Sequence, residues 1–171
     1  MKLLNKLALL LLCLSVNAYA KQSDKDQPTV IEADQVEMHD KQSTSIYSGN
    51  VVITRGSIKI TGDKITIKNK DGSLQLATAI GQPATFYQLN DLGEAITAQS
   101  NKIIYRARSG LLELQEDAEL VKNKNRFSSA HIIYDTNKDI VKAGHKNKSE
   151  TSTPPRVQVT LQPEKKNNNQ K

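Results

Sequence analysis

With 171 residues, one cysteine and no tryptophan, the chain is long enough for one packed domain, and a lone thiol excludes an internal disulfide framework. Its 24 Lys and Arg against 18 Asp and Glu give a formal charge of +6, which admits anionic partners of several kinds. No run interleaves aromatic residues with Lys or Arg, so a base-stacking nucleic-acid surface is not expected.

Lys2 and Lys6 precede an apolar run over residues 7–16, and Ala18-Tyr19-Ala20 has the small-x-small form of a signal-peptidase site. The run falls well short of the roughly 20 apolar residues that span a bilayer. Residues 1–20 are therefore expected to be a cleaved export signal. The alternative is a lipoprotein signal at Cys13, but Leu11 and Leu12 stand where small residues are wanted. Cleavage removes Cys13 and two lysines, leaving a positively charged, cysteine-free chain outside the cytoplasm.

Residues 21–28 form a polar lead-in ending at Pro28. Thr29, Ile31 and Ala33 then share one face of a first strand, and Val36 and Met38 continue the alternation beyond Asp34. Residues 41–48 hold a turn and a strand with Ile46 and Tyr47. The alternation is clearest over 49–67, where within each arm Ile58 and Ile60, and Ile65 and Ile67, share a face and Lys59, Thr61, Lys64 and Thr66 oppose it. Arg55-Gly56 and Thr61-Gly62-Asp63 supply turn or corner chemistry, and Asp71-Gly72 predicts a tight hairpin.

Leu74, Leu76, Thr78 and Ile80 alternate up to Gly81-Gln82-Pro83, and residues 84–88 form the next strand. Asn90-Asp91-Leu92-Gly93 turns the chain. Short strands are predicted at 96–98, 102–105, 111–114, 119–121, 126–128, 131–134 and 140–143. A polar linker at 146–155 precedes an isolated last strand carrying Val157, Val159 and Leu161, and 164–171 reads as a disordered tail. No segment keeps a helical period, so the fold is expected to be all-β, built of many short antiparallel strands.

Four segments superpose: 31–38, 60–67, 98–105 and 127–134. Each has an apolar residue, a polar one, a small one, a residue that is usually Asp or Asn, then apolar residues at alternate positions. The fourth positions, Asp34, Asp63, Asn101 and Ala130, follow one another at steps of 29, 38 and 29 residues. Each unit offers an apolar face that it cannot bury alone, so stacked units would bury a continuous interior. Neither terminal strand has a helical or Pro-rich cover, and open edges invite pairing with another chain.

Catalytic and metal chemistry find little support. His39, His131 and His145 lie in different units without ligand spacing and are expected to be exposed and structural. Asp34, Asp63 and Asn101 recur beside small residues, which fits corners held by bonds to their own neighbouring backbone. The apolar face is either an ordinary sandwich core or the wall of a lipid groove, since Ile, Val and Leu dominate it and few bulky aromatics plug it.

Gly81-Gln82-Pro83-Ala84-Thr85-Phe86-Tyr87-Gln88, Gly49-Asn50-Val51 with Gly56-Ser57-Ile58-Lys59-Ile60, and Asp26-Gln27-Pro28 with Ile31-Glu32-Ala33-Asp34-Gln35 resemble the LptA (OstA-like) family of periplasmic lipopolysaccharide transport proteins of Gram-negative bacteria. The resemblance covers residues 26–163. It implies an open, twisted β-jellyroll domain over 29–163, without enzymatic activity or cofactor, whose copies stack head to tail. Such a bridge carries lipopolysaccharide between an inner-membrane complex containing LptC and an outer-membrane translocon containing LptD. On the family pattern Thr29, Ile31 and Phe86 are expected to contact lipid, and the alternation extends that set to Ile60, Ile65 and Ile103. Ile31 and Glu32 at one edge, and Val157, Val159 and Leu161 at the other, are the expected interface residues. The rivals are an LptC-like soluble domain, which needs a retained anchor, and a polysaccharide-processing β-solenoid, which needs carboxylates gathered on one face.

Overall fold

The computed structural model describes residues 24–90, 92–144 and 156–163. The expected signal at 1–20, the linker at 146–155 and the tail at 164–171 lie outside the described residues. Ten strands follow in chain order: β1 Val30–Glu32, β2 Gln35–His39, β3 Thr44–Arg55, β4 Ile58–Lys70, β5 Ser73–Leu89, β6 Ala95–Arg106, β7 Leu111–Lys122, β8 Asn125–Asp135, β9 Ile140–Ala143 and β10 Gln158–Thr160. They form one antiparallel sheet in the order β1-β3-β4-β5-β6-β7-β8-β10, with β2 also on β3 and β9 also on β8. The sheet is not closed, so the chain is an open β-jellyroll.

The strands from β3 to β8 are longer than the alternation suggests, between 11 and 17 residues each. Chain breaks expected at Gly49, Gly62, Gly81 and Asn101 are instead corners inside continuous strands. Register shifts at Ser48/Val51, Thr61/Lys64, Ile80/Ala84, Gln99/Lys102 and Gln115/Ala118 lie side by side across the sheet. Each adds residues on one strand and bends it, as bulges do. The sheet is thereby divided into a first arm, bounded by β1 and β10, and a second arm, bounded by β2 and β9.

The corners are stitched to one another rather than to themselves. Asp34 accepts a hydrogen bond from the Asn50 side chain at 3.0 Å, and Asn101 donates to Asp117 at 3.4 Å. Asn50, Glu116 and Asp117 hold positive φ of 46°, 63° and 50°, the left-handed backbone that Asn and Asp tolerate best. At Gly62 an added Cβ would lie 2.8 Å from the Ile80 carbonyl oxygen. That corner is tight enough to require glycine.

Because every corner falls at the same height, the inward residues line up in ladders. One ladder runs Ile31, Ile53, Ile60, Phe86, Ala98, Leu120, Phe127, Val159. Beyond the corner a second runs Val36, Tyr47, Ile65, Ala79, Ile103, Leu114, Ile132, Ala143, and a third runs Met38, Ser45, Ile67, Ala77, Tyr105, Leu112, Tyr134, Val141. The four repeats place their first, sixth and eighth residues in these three ladders respectively, so the repeating unit is one hairpin of the sheet. The two arms meet face to face, with the Phe86 and Tyr105 rings 5.5 Å apart and tilted by 45°, a favourable aromatic geometry.

At the free tips the turns behave as their residues dictate. Asp71 and Gly72 both take positive φ, 52° and 72°, giving the two-residue hairpin predicted between β4 and β5. Near the β8 end the arms are clasped: Lys122, at the tip of the first arm, pairs with Asp139, which also accepts a 2.8 Å hydrogen bond from the Tyr134 hydroxyl. The Lys122 bond, aided by that of Tyr134, holds the Asp139 carboxyl below its usual 3.8.

Gly62→Ala is expected to destabilise the fold by roughly 1–3 kcal/mol, because the crowding atom is backbone; the midpoint of urea unfolding reads this directly. The clasp adds a pH dependence. A depressed carboxyl stabilises the fold above its unfolded pKa, and that contribution disappears as pH falls through the folded value. Asp139→Asn should therefore lower stability at neutral pH by on the order of 0.5 kcal/mol, solvent screening the half-exposed pair. Its unfolding midpoint should converge with that of the unmodified protein in strong acid.

Candidate functional site

The inward face is the one continuous apolar surface in the described sheet, and it is packed shut along its middle. Ile60, Ile65, Phe86 and Ile103 are all at most 1% exposed, as are Ile53, Leu114, Leu120 and Ile132 around them. β-branched residues put that face in place, since the pleat sends every second side chain inward.

The ladders reach solvent only at the sheet edges. At the β2 edge Val36 and Met38 stand 55% and 62% exposed, and at the β10 edge Val159 and Leu161 stand 47% and 69% exposed. Val157 and Leu161 share the inward side of Val159 by alternation. Thr29 is exposed at the rim, Ile31 is half-buried against the core, and Glu32 is exposed on the β1 edge. Thr29 and Ile31 line a cavity of about 430 Å3 with Tyr47, Arg55, Ile67 and Leu74. The two groups of sequence-singled residues thus fall at different depths: four deep in the interior and the others at its two mouths.

Of the three phenols in these ladders, Tyr105 and Tyr134 are buried and bring polarity into this surface. Burial pushes the Tyr105 hydroxyl up to about 12, partly offset by the Arg55 guanidinium nearby. Tyr134 is pushed up as well, first by burial and then by its bond to Asp139. Both are neutral hydroxyls at physiological pH and leave the interior uncharged.

The outer face carries the one charged residue among the described buried ones. Glu113 is only 5% exposed and is surrounded by Arg106 at 3.2 Å, Gln115 at 2.9 Å and His131 at 3.1 Å. His131 is thus a half-buried partner in a polar network rather than the exposed residue expected, because strands β7 and β8 set it opposite Gln115 and within reach of Glu113. His39 bonds Glu37 at 2.8 Å, and His145 lies outside the described residues. Among the described residues no three His, Cys, Asp or Glu converge as a metal site, and no helix is long and apolar enough to cross a membrane. Arg55 and the Lys122–Asp139 clasp escaped sequence reasoning, since their partners come from distant hairpins. A cation closing an alternating apolar run, as Arg55 does after Val51 and Ile53, is the one signal that marked a rim position.

Comparison with known proteins agrees with this architecture. A family model described as "LptA/(LptD N-terminal domain) LPS transport protein" matches residues 30–140. The chain is 36% identical over 152 residues to the lipopolysaccharide export system protein LptH of Pseudomonas aeruginosa, covering 87% of each. It is 33% identical to LptA of Haemophilus influenzae, over 81% of this chain and 83% of that protein. For LptA of Escherichia coli K12 the identity is 32%, over 75% and 70%. The crystal structure of LptH, the LptA-homologous periplasmic component of the P. aeruginosa lipopolysaccharide transport device, superposes with a TM-score of 0.75 at 34% identity, covering 83% of this chain and all of that one. The chain belongs to the LptA and LptD amino-terminal-domain family of lipopolysaccharide transport proteins.

Proposed function

We propose that this protein is a periplasmic lipopolysaccharide-binding bridge that passes its cargo from the inner-membrane to the outer-membrane transport complex without altering it chemically. The observation that carries this reading is the set of apolar ladders that cross the whole sheet and surface at both open edges. Its relatives, lipopolysaccharide export system proteins, support the same cargo.

Acyl chains would enter by parting the arms and taking over the contacts that the inward side chains now make with one another. Thr29 and Ile31 at the mouth, and Ile60, Ile65, Phe86 and Ile103 within, are the contact positions. Exchange of one apolar contact for another is nearly balanced, because water is excluded in both states at about 25 cal/mol per Å2. The Phe86 and Tyr105 pair is the natural point of parting.

The edges provide continuity. Ile31 and Glu32 of one copy would meet Val157, Val159 and Leu161 of the next, extending the sheet by strand addition. LptC and LptD would engage the terminal copies through the same two edges. The bridge itself holds no energy source, so directed movement depends on the complexes at its ends.

A photo-crosslinking side chain at Phe86 or Ile31 should capture lipopolysaccharide; folded protein that gives no adduct at either position would refute the carrier reading. End-to-end association should weaken about tenfold, or 1.4 kcal/mol, in Val159→Arg, and sedimentation across a concentration series measures it. Association as strong as that of the unmodified protein, both in that variant and in a chain lacking residues 156–171, would remove the edge from the mechanism.

A further inference from the structure

The seam between the arm tips differs from one half of the molecule to the other. On the β8 side it is clasped and charge-balanced by Lys122, Asp139 and the Tyr134 hydroxyl. On the β3 side it opens as a groove of about 400 Å3, lined by Arg55, Lys70, Asp71, Leu74, Ala107 and Arg108 among others. Arg55 is the last residue of β3 and lies in register with buried Ile58. It stands two positions beyond Ile53, on the inward side, where the apolar row ends. Lys70, the last residue of β4, and Arg108, in the turn between β6 and β7, are exposed at the tips of the opposite arm, and among the described residues neither forms an ion pair. Exposed Lys70 and Arg108 line the groove with one carboxylate, Asp71, while Leu74 and buried Ala107 form its apolar wall. The adjoining cavity at Thr29 and Ile31 shares Arg55 and Leu74, so apolar surface and positive rim are continuous.

We propose that Lys70 and Arg108, with Arg55 at the lip of the interior, bind the phosphomonoester of the carried amphiphile while its chains pass inward beside Leu74 and Ala107. This rests on the lipid-carrying reading and adds to it a place and a chemistry for the headgroup. A guanidinium offers paired donors to phosphate, an ammonium acts as a mobile point charge, and both bonds are charge-assisted. Because the site is exposed, its contribution falls with ionic strength. The unclasped half of the seam is thereby the side on which a headgroup rests, and the clasped half is the side that stays shut.

The test compares binding of phosphorylated lipid A with that of the same lipid after phosphatase treatment, using the full mature chain. Unmodified protein should prefer the phosphorylated form by about tenfold. Lys70→Gln combined with Arg108→Gln should bring that ratio near one while leaving the dephosphorylated lipid unaffected. Lys64→Gln combined with Lys142→Gln, both exposed away from the groove, should keep the preference and controls for the loss of two charges. An unchanged ratio in the double variant, with its unfolding curve intact, overturns the headgroup site alone, as does equal binding of both lipids by unmodified protein. Binding of neither lipid overturns the carrier reading with it. Inorganic phosphate that displaces lipid as well as free lipid A does would reassign the rim to free phosphate.

Discussion

The inward ladders hold together only while all strands cross the fold line in step. A one-residue slip in any strand would turn its inward set outward, and Ile60, Phe86, Ala98 and Leu120 would lose one another at once. The aligned bulges enforce this. Each strand must turn at one height, and the side-chain bonds from Asn50 to Asp34 and from Asn101 to Asp117 tie neighbouring corners together. Both the closed interior and its two exposed ends follow from that alignment.

On the carrier reading proposed above, the same side chains serve stability and carriage, which sets the terms of exchange. With the arms together, Phe86 rests against Tyr105, and the interior is in effect occupied by the protein itself. A chain that displaces those contacts restores most of what it removes, so the free-energy difference between the two states is small compared with the burial involved. Modest forces at the tips can then bias the balance. The Lys122–Asp139 pair holds one half of the seam with a half-exposed charge pair, which suits a closure that must yield.

Much of the fold was legible because it depends on local chemistry. Alternation in 58–67 identified the inward residues, Asp71-Gly72 made the hairpin it encodes, and the steps among the repeats located one corner per hairpin. Strand length was not legible, since Gly49, Gly62 and Gly81 read equally as turns or as bulges until neighbouring strands pair across them. Of the candidate site, Ile60, Ile65 and Ile103 were readable from alternation and Thr29, Ile31 and Phe86 from the family resemblance, whereas the cationic part of the rim was not. Arg55 ends β3, Leu74 lies near the start of β5 and Arg108 sits in the turn after β6, and only the folding-over of the sheet brings them to one groove. Asp34 and Asn101 were expected to bond to their own backbone, yet the next strand's corner offered a partner at the same height.

The hairpin repeat has a consequence for how distance is measured in this system. A ladder eight strands deep, at about 4.8 Å per strand, is roughly 34 Å long, and nothing in its pattern defines a natural end. Another hairpin would extend the ladder by about 10 Å, and another copy joined through the edges would extend it by its whole depth. A gap between two membranes could then be matched by counting copies of one small ruler, with no change to the gene that encodes it.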